Sequence, residues 1–351
     1  MMRIISPAAM IAALLACASA ETVLAHHSTA ANFDESRMIE IEGEISANRL
    51  RNPHITFVVD VVNAAGETEH WTVESNSLSG LRRLKVSTEV FAVGEKVRVA
   101  GNPSRHKAHG IWATNVMRAD GSEVLVDPGS KPIWTTEDTT SGTPLYTMEG
   151  DASEPELGIF RTWSHTRATN MLFPETTIPD FDIFSYPLTA SARSAAEAFD
   201  PVTENPTLNC APKGMPTIME QPYPMEFVDE GNRLLVRMEE YDIVRTIHLD
   251  QDATPDGAAH GPLGYSTGRW EGNTLVVHTD HVNWGWFDQA GIPLTDDVQI
   301  DEEFTLADDG SRLDFKITIT DSSTFTRPVV LEKFWLYVPG VEVKPYECLA
   351  N

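Results

Sequence analysis

The sequence predicts a mainly β protein with two domains, a small OB-like barrel followed by a larger antiparallel, lipocalin-like barrel or curved sheet. Three observations lead to this fold class. Short segments in which apolar and polar residues alternate follow one another along most of the chain. Glycine, asparagine and aspartate separate many of these segments at hairpin positions. The 351 residues are enough to bury two hydrophobic cores.

The pattern divides the chain into four parts. We assign residues 1–25 to a signal peptide and residues 26–126 to the small barrel. Residues 127–209 form a linker that contains a docking segment and a short helix, and residues 210–351 form the larger barrel. The linker is assigned because its first part is rich in threonine, serine, glycine and acidic residues and has little periodicity.

The first 25 residues have the pattern of a secretory signal peptide. Arg3 supplies the positive charge, and the apolar run that follows is too short to span a bilayer. A cut after Ala25 leaves His26 at the new N-terminus, whereas an alternative cut leaves Glu21. Lipidation of Cys17 is a third possibility, because the three residues before it resemble a lipobox. The sequence therefore predicts a periplasmic or secreted protein and leaves the cleavage site open.

The charge balance narrows the classes of partner. The chain has 26 basic and 52 acidic residues and a formal net charge of −26. Nucleic acid and anionic membrane surfaces repel such a protein, so we expect neither as a partner. Outside the leader, no stretch of the sequence is apolar enough to span a membrane. A small molecule or a metal ion remains as the expected partner.

The cysteines predict one disulfide. Cys17 is removed with the leader or lipidated, which leaves Cys210 and Cys348, 138 residues apart. In an oxidising compartment these two are expected to pair. A loop of this length stabilises the fold by about 4–5 kcal/mol in the chain-entropy model. Two buried free thiols are the alternative.

The small barrel is predicted from five strand-like segments and one short helix. The Asn63–Glu67 turn joins two of the segments as a hairpin. Leucines at a spacing of three predict the helix. The strand-like segments are 38–47, 55–62, 70–75, 97–102 and 111–119, and the helix is 77–84. Five short strands around one helix favour a closed, OB-like barrel.

Motifs in this region carry a resemblance. They are Ala-His-His-Ser at the expected terminus, Asn-Pro-His before the second strand and Trp-Thr-Val-Glu in the third. The residues concerned are His26, His27, Ser28, Phe33, Asp34, Gly43, Asn52, Pro53, His54, Trp71, Glu74, Gly94, Gly101 and Gly121. Together they resemble an uncharacterised domain family of exported bacterial proteins. The resemblance implies export and a β-barrel-like fold, and it implies no established activity.

His26 and His54 are the candidate metal ligands. An N-terminal histidine offers an imidazole and an α-amino group that titrates near neutrality, so little proton competition opposes a metal. Two such nitrogens plus a third imidazole suit copper(II), and the arrangement resembles the histidine brace of copper-binding exported proteins. His54 follows Pro53, which marks the start of a strand at a barrel rim. A polar, frayed terminus and a His54 that bonds a backbone carbonyl are the alternatives.

The rest of the linker holds two recognisable elements. Gly158–Trp163 is apolar enough to dock on a domain. Residues 190–199 have a helical pattern, and Thr189 is the expected N-cap because its hydroxyl can accept a bond from the first turn. Asp200-Pro201 is expected to end this helix.

The larger barrel is predicted from nine strand-like segments in meander order. They are 224–229, 233–241, 243–250, 264–271, 274–281, 299–307, 312–320, 329–338 and 342–347. Tight turns at 230–232, 271–273 and 308–310 join several of them. This order favours an up-and-down, lipocalin-like barrel. The segments Gly268–Val277, Cys210–Pro216 and Tyr346–Cys348 also resemble parts of other uncharacterised exported proteins.

Four function classes follow from these features, of which the fourth is a purely structural envelope protein. The first is an exported, non-catalytic binding protein that holds copper through His26 and His54. The second is a binding module that takes a small apolar ligand in the larger barrel, where Trp284 and Trp286 cover the mouth or plug it. Within that barrel His248 and His278 are further candidate ligand-binding residues.

The third class is a hydrolase or isomerase in which His248 or His278 acts as a base. No nucleophile stands at a recognisable spacing from either histidine, and no familiar catalytic motif is present. We therefore expect a binding protein rather than an enzyme.

Overall fold

The computed structural model describes residues 32–127, 130–136, 149–165, 171–176, 178, 181–200, 203–204, 210–250 and 254–348. The described chain is mainly β and forms two closed barrels, so the predicted fold class is confirmed. Five strands close the N-terminal barrel and nine close the C-terminal barrel. Among the described residues, no helix is both long and apolar enough to cross a bilayer.

The N-terminal barrel has the strand order expected of an OB-like fold. Its strands are β1 (Ile39–Arg49), β2 (Thr56–Val62), β3 (Thr68–Glu74), β4 (Lys96–Pro103) and β5 (Gly110–Arg118), and β6 (Glu123–Leu125) extends the sheet beyond β5. The neighbours follow the order β3-β2-β1-β4-β5, and β3 closes the barrel by pairing in parallel with β5. Ile45, Val59 and Val73 point into the centre and are fully buried. Alternation of apolar and charged residues in these strands therefore predicts the core correctly.

Two short helices begin where the sequence predicts. α1 (Leu78–Arg83) lies between β3 and β4, and the Ser77 hydroxyl caps it by accepting from the backbone N–H of Gly80. α2 (Ala190–Ala198) is capped by Thr189 in the same way, which confirms that N-cap. The 3₁₀ helices are Thr88–Phe91, Pro155–Leu157, Pro174–Thr176, Ile183–Ser185, Thr217–Glu220 and Glu240–Asp242.

The C-terminal barrel is built from nine strands. They are β7 (Thr162–His165), β8 (Met225–Asp229), β9 (Arg233–Met238), β10 (Ile243–His248), β11 (Tyr265–Glu271), β12 (Thr274–Asp280), β13 (Gln299–Leu306), β14 (Arg312–Thr320) and β15 (Val329–Tyr337). Neighbours follow the order of the chain, and β15 returns to β7. All described pairs are antiparallel except β10 with β11, which are parallel. The barrel is thus largely, but not wholly, up-and-down.

One predicted strand is wrong, and another strand takes its place. Residues 342–347 are irregular, and the ninth strand is β7, which begins within the predicted docking segment Gly158–Trp163 and extends two residues beyond it. A four-residue strand is too short to show periodicity. Trp163 explains the pairing, because its fully buried ring enters the barrel and its indole N–H donates to the carbonyl of Ile159 at 2.9 Å.

The barrel interior is filled by its own side chains. Trp163, Trp335, Phe304 and Phe315 are almost completely buried, and the last three contact one another through their rings. The predicted disulfide is confirmed: Cys210 and Cys348 are bonded, with their Cα atoms 5.9 Å apart. It encloses the sequence from before β8 to beyond β15.

A polar contact joins the two barrels. Arg83 at the end of α1 lies 2.9 Å from the Glu239 carboxylate and 4.9 Å above the ring of Tyr223. The Tyr223 hydroxyl donates to Ser77, the N-cap of the same helix, at 2.8 Å. These contacts join both ends of α1 to the C-terminal barrel, and so they favour one orientation of the helix against it.

Two charged side chains of the C-terminal domain, Glu220 and Lys333, are buried and influence each other's pKa. The Glu220 carboxylate accepts bonds from the backbone N–H groups of Leu172 and Phe173 and from the hydroxyl of Thr176. Burial raises the pKa of Glu220 to about 7, against the pull of Lys333. Burial lowers the pKa of Lys333 to about 8, and Glu220 opposes that shift. Each charge therefore favours the other against the cost of burial, together with the hydrogen bonds to Glu220.

We expect Lys333→Met to destabilise the protein by about 2–3 kcal/mol at pH 8, because it leaves Glu220 as an uncompensated buried charge. The loss should shrink at pH 5. The pKa of Glu220 is higher in the folded protein than in the unfolded chain. Its ionisation therefore lowers the stability of the folded protein as the pH rises from about 4.5 through about 7. Urea unfolding at both pH values measures the difference.

Lys316→Met is the matched control for this substitution. Lys316 lies on the neighbouring strand β14 and bonds Glu303 at 2.7 Å on the half-exposed outer face. Its loss should cost less than about 1 kcal/mol at either pH, as for other exposed ion pairs. An equal loss for Lys333→Met at pH 5 and pH 8 would contradict the assignment of the charge on Glu220.

Candidate functional site

The chain enters the small barrel at a rim formed by β4 and β5. Phe33 pairs with Ser104, the backbone N–H of Asp34 donates to the carbonyl of Pro103 at 2.9 Å, and that of Arg105 donates to Asn32 at 2.8 Å. These bonds hold the first described residues like an additional short strand. Residues 32–34, the first that the structure describes, are thereby fixed at this rim.

Three rings form a continuous contact at the rim. Phe33 and Trp112 are almost fully buried, and their ring centroids lie 5.6 Å apart. His54 meets the same Trp112 edge to face at 5.1 Å. The Trp112 indole N–H donates to Asp127 at 2.6 Å, which fixes the ring between its two neighbours. Phe33 therefore lies within about 11 Å of His54.

A glycine allows the backbone of this rim to close. Gly101 lies at a bulge in the pairing of β4 with β5. A Cβ added there would lie 1.8 Å from the carbonyl oxygen of Trp112, so a side chain at this position would displace the strand that carries the tryptophan. Gly101 is one of the residues that carry the family resemblance, and this close approach explains why a glycine is needed there.

Glu74 is a titratable group beside the three rings. It lies at the end of β3, where it pairs with Thr56 on one side and with Trp112 on the other. Burial raises the pKa of Glu74 to about 7, and Lys107 partly opposes the shift. Glu74 is one of the residues that carry the family resemblance, but the sequence predicts no role for it. This raised pKa marks Glu74 as a candidate functional group at the rim, one that sequence reasoning missed.

Asn52 of the Asn-Pro-His motif has a structural role that sequence reasoning missed. Its side-chain oxygen accepts from the backbone N–H of Ser79 at 3.1 Å, and its amide donates to the carbonyl of Tyr346. It also forms a bridge with Cys348 in the C-terminal segment. The two residues of the motif thus have different contacts: Asn52 joins the two domains, and His54 faces the rim.

His26 lies outside the described residues. It precedes Phe33 by seven positions, and seven extended residues span at most about 25 Å. Because Phe33 is anchored within about 11 Å of His54, that length is more than sufficient for the two histidines to meet. In the part of the chain that the structure describes, no group of three or more histidine, cysteine, aspartate or glutamate residues is arranged to hold a metal.

The structure places His248 and His278 on the outer face of the larger barrel. Both are partners of Thr267 on the strand between them, so they lie in one row about 10 Å apart. His248 stacks on Tyr265 with ring centroids 4.5 Å apart, and His278 lies 2.8 Å from Asp301. The two residues share a face, but they are separated from the barrel interior by the sheet.

Trp284 and Trp286 lie in the loop between β12 and β13, and both make contacts within the protein. The Trp284 indole N–H donates to the hydroxyl of Thr217 at 2.8 Å. The ring of Trp286 packs on Phe199 at 4.9 Å. Next to them, Phe287 is fully buried among other aromatic rings. The arrangement resembles a closure of this end of the barrel more than an open mouth.

Comparison with known proteins gives one match. Residues 13–113 match the model of a family of unknown function (DUF6152). The match reaches from the predicted leader into β5 and includes both candidate metal ligands and Trp112. No curated protein matches the chain. The matched region supports an uncharacterised domain at the N-terminal barrel.

Proposed function

We propose that this chain is an exported, non-catalytic binding protein whose mature N-terminus, His26, holds one copper(II) ion together with His54. The observation that carries the proposal is the anchoring of the chain at Asn32–Asp34, on the other side of the Trp112 ring from His54 and within about 11 Å of it. Export and cleavage after Ala25 are parts of the same proposal, because the copper site needs the free amino group of His26.

The rim supplies what such a site needs. Binding a metal costs backbone entropy for every residue that becomes ordered. Because residues 32–34 are already held at the rim, this cost is limited to the residues before Asn32. His54 is half-buried and its ring is oriented by Trp112. His54 lies just before β2, and His26 is joined to the anchored Asn32 by a short segment. Two ligands with this little freedom favour a chelate of fixed geometry.

The donor set selects the metal. An α-amino nitrogen and two imidazoles form a planar set of nitrogen donors, which suits copper(II) better than zinc(II) or calcium(II). The amino group has a pKa near 8, so at neutral pH a metal displaces its proton at little cost. Glu74 at the same rim, with a pKa of about 7, provides a carboxyl group close to the proposed charge.

We expect the purified mature protein to bind one copper(II) ion with nitrogen-rich ligation, measured by titration and by electron paramagnetic resonance. Addition of one residue before His26 should lower the affinity at least 100-fold, because it converts the amine into an amide. His54→Ala should lower it about 10- to 100-fold through loss of one imidazole. His70→Ala is the control, since His70 pairs with Asp60 on a different face of the small barrel.

Two results would refute the proposal. One is a mature N-terminus at any residue other than His26, established by N-terminal sequencing of the exported protein. The other is an unchanged copper resonance spectrum in the form with the extra residue, which would mean that the amino group is not a ligand.

A further inference from the structure

We propose that His260 and His281 form a second binding site for a divalent transition metal, at the edge of the larger barrel and independent of His26. The two rings lie with centroids 4.6 Å apart and planes inclined by 41°. The proposed ligands are the two imidazoles, with water completing the coordination. None of the function classes considered above uses either residue.

The backbone brings these histidines side by side. Gly261 and Val282 form a parallel bridge between the loop before β11 and the end of β12. The N–H of Gly261 donates to the carbonyl of His281 at 3.0 Å, and the N–H of Asn283 donates to Gly261 at 2.9 Å. The neighbouring positions 260 and 281 are therefore held in register by main-chain bonds rather than by chance contact of long side chains.

Asp280 sets the orientation of the second ring. The Nδ1 atom of His281 lies 2.9 Å from the Asp280 carboxylate, and the Thr254 hydroxyl donates to the same oxygen at 2.6 Å. A carboxylate that accepts from Nδ1 fixes the tautomer in which Nε2 carries the free lone pair. This carboxylate–imidazole pair is the arrangement that commonly supports a metal-bound histidine.

The backbone at His281 is also unusual for a residue with a side chain. Its φ angle is +55°, in the left-handed region that most residues avoid. Such a conformation is unfavourable and persists where surrounding contacts hold it. Here it turns the His281 ring toward His260 while the Asp280 contact is kept.

Access and charge both suit a cation. The His281 side chain is 29% exposed and that of Asp280 is 20% exposed, while His260 is open to solvent. The protein carries an excess of negative charge, so a cation approaches it favourably. Imidazole donors select zinc(II), copper(II) or nickel(II) rather than calcium(II) or magnesium(II).

Zinc(II) titration of the mature protein by calorimetry tests this site. We carry the test in the His54→Ala background, which weakens the site at His26, so that failure of one proposal does not affect the other. We expect zinc binding that His260→Ala or His281→Ala lowers at least 10-fold. Asp280→Asn, which removes the orienting charge, should lower it about 10-fold.

His278→Ala is the matched control. His278 has the same carboxylate contact, to Asp301 at 2.8 Å, but its ring has no second imidazole beside it in the described structure. Its loss should leave zinc affinity unchanged. Equal zinc isotherms for the parent and His260→Ala would overturn the proposal, as would an equal loss of affinity in His278→Ala. Unfolding midpoints without metal confirm that the variants are folded.

Discussion

Glu302→Gln is expected to lower the free energy of unfolding by about 3–5 kcal/mol, because it leaves the Arg245 guanidinium buried without a counter-charge. Arg245 is 1% exposed and Glu302 is fully buried. Both side chains point into the larger barrel from β10 and β13, and Arg245 Nη1 donates to Glu302 at 2.9 Å.

The rest of the network makes the loss specific. Arg245 Nη2 also donates to Thr279 at 2.8 Å, and its Nε donates to Ser266 at 3.1 Å. The three acceptors satisfy most of the five N–H groups of the guanidinium. They hold it in one position and so prevent it from turning out to solvent when Glu302 is replaced.

Chemical denaturation of Glu302→Gln and of Arg245→Met/Glu302→Met measures this effect. The double variant should recover most of the lost stability, since two apolar side chains of similar volume leave no buried charge. Arg237→Met/Glu226→Met is the matched control, because that pair is also 2.9 Å apart but its side chains are 51% and 31% exposed. A loss below 1 kcal/mol for Glu302→Gln would mean that the pair is not desolvated as described.

Loss of the Cys210–Cys348 disulfide is expected to lower the free energy of unfolding by about 5 kcal/mol in the chain-entropy model. The bond encloses 138 residues, and eight of the nine strands of the larger barrel lie inside that loop. Opening it gives the unfolded chain many more conformations. It also releases the segment whose Tyr346 carbonyl accepts from Asn52 of the small barrel.

Urea unfolding with and without reductant measures this contribution. Cys210→Ser/Cys348→Ser is the matched variant: its stability should equal that of the reduced parent, and reductant should not change it further. If reductant lowered the stability of this variant too, the effect would not come from the disulfide. An unfolding midpoint that is unaffected in the parent would contradict the prediction.

The sequence was informative where local pattern and packing agree. Alternation places Ile45, Val59 and Val73 in a core, and hydroxyl side chains at Ser77 and Thr189 mark the helix starts. It failed at β7, because four residues are too few for periodicity, and at 342–347, because a segment with strand-like composition is held by side-chain contacts instead. Tyr346 packs there against Tyr223 and Tyr241.

The candidate site was only partly predictable. His54 was selected from its place after a strand-breaking proline, and it does lie at a rim beside Trp112. The anchoring of Asn32–Asp34 on β4 and the raised pKa of Glu74 depend on contacts between distant strands, and no local pattern reports them. The same holds for the pair His260 and His281, which are 21 positions apart.

The sequence by itself determined the β class, and it predicted two β domains and the cysteine pairing, because period-two alternation, turn residues and a count of two cysteines are local or compositional properties. Only the tertiary structure decided which strand closes the larger barrel, that its centre holds an ion pair, and which histidines meet. Those outcomes depend on register between strands far apart in the chain, where a shift of one residue turns every side chain to the opposite face.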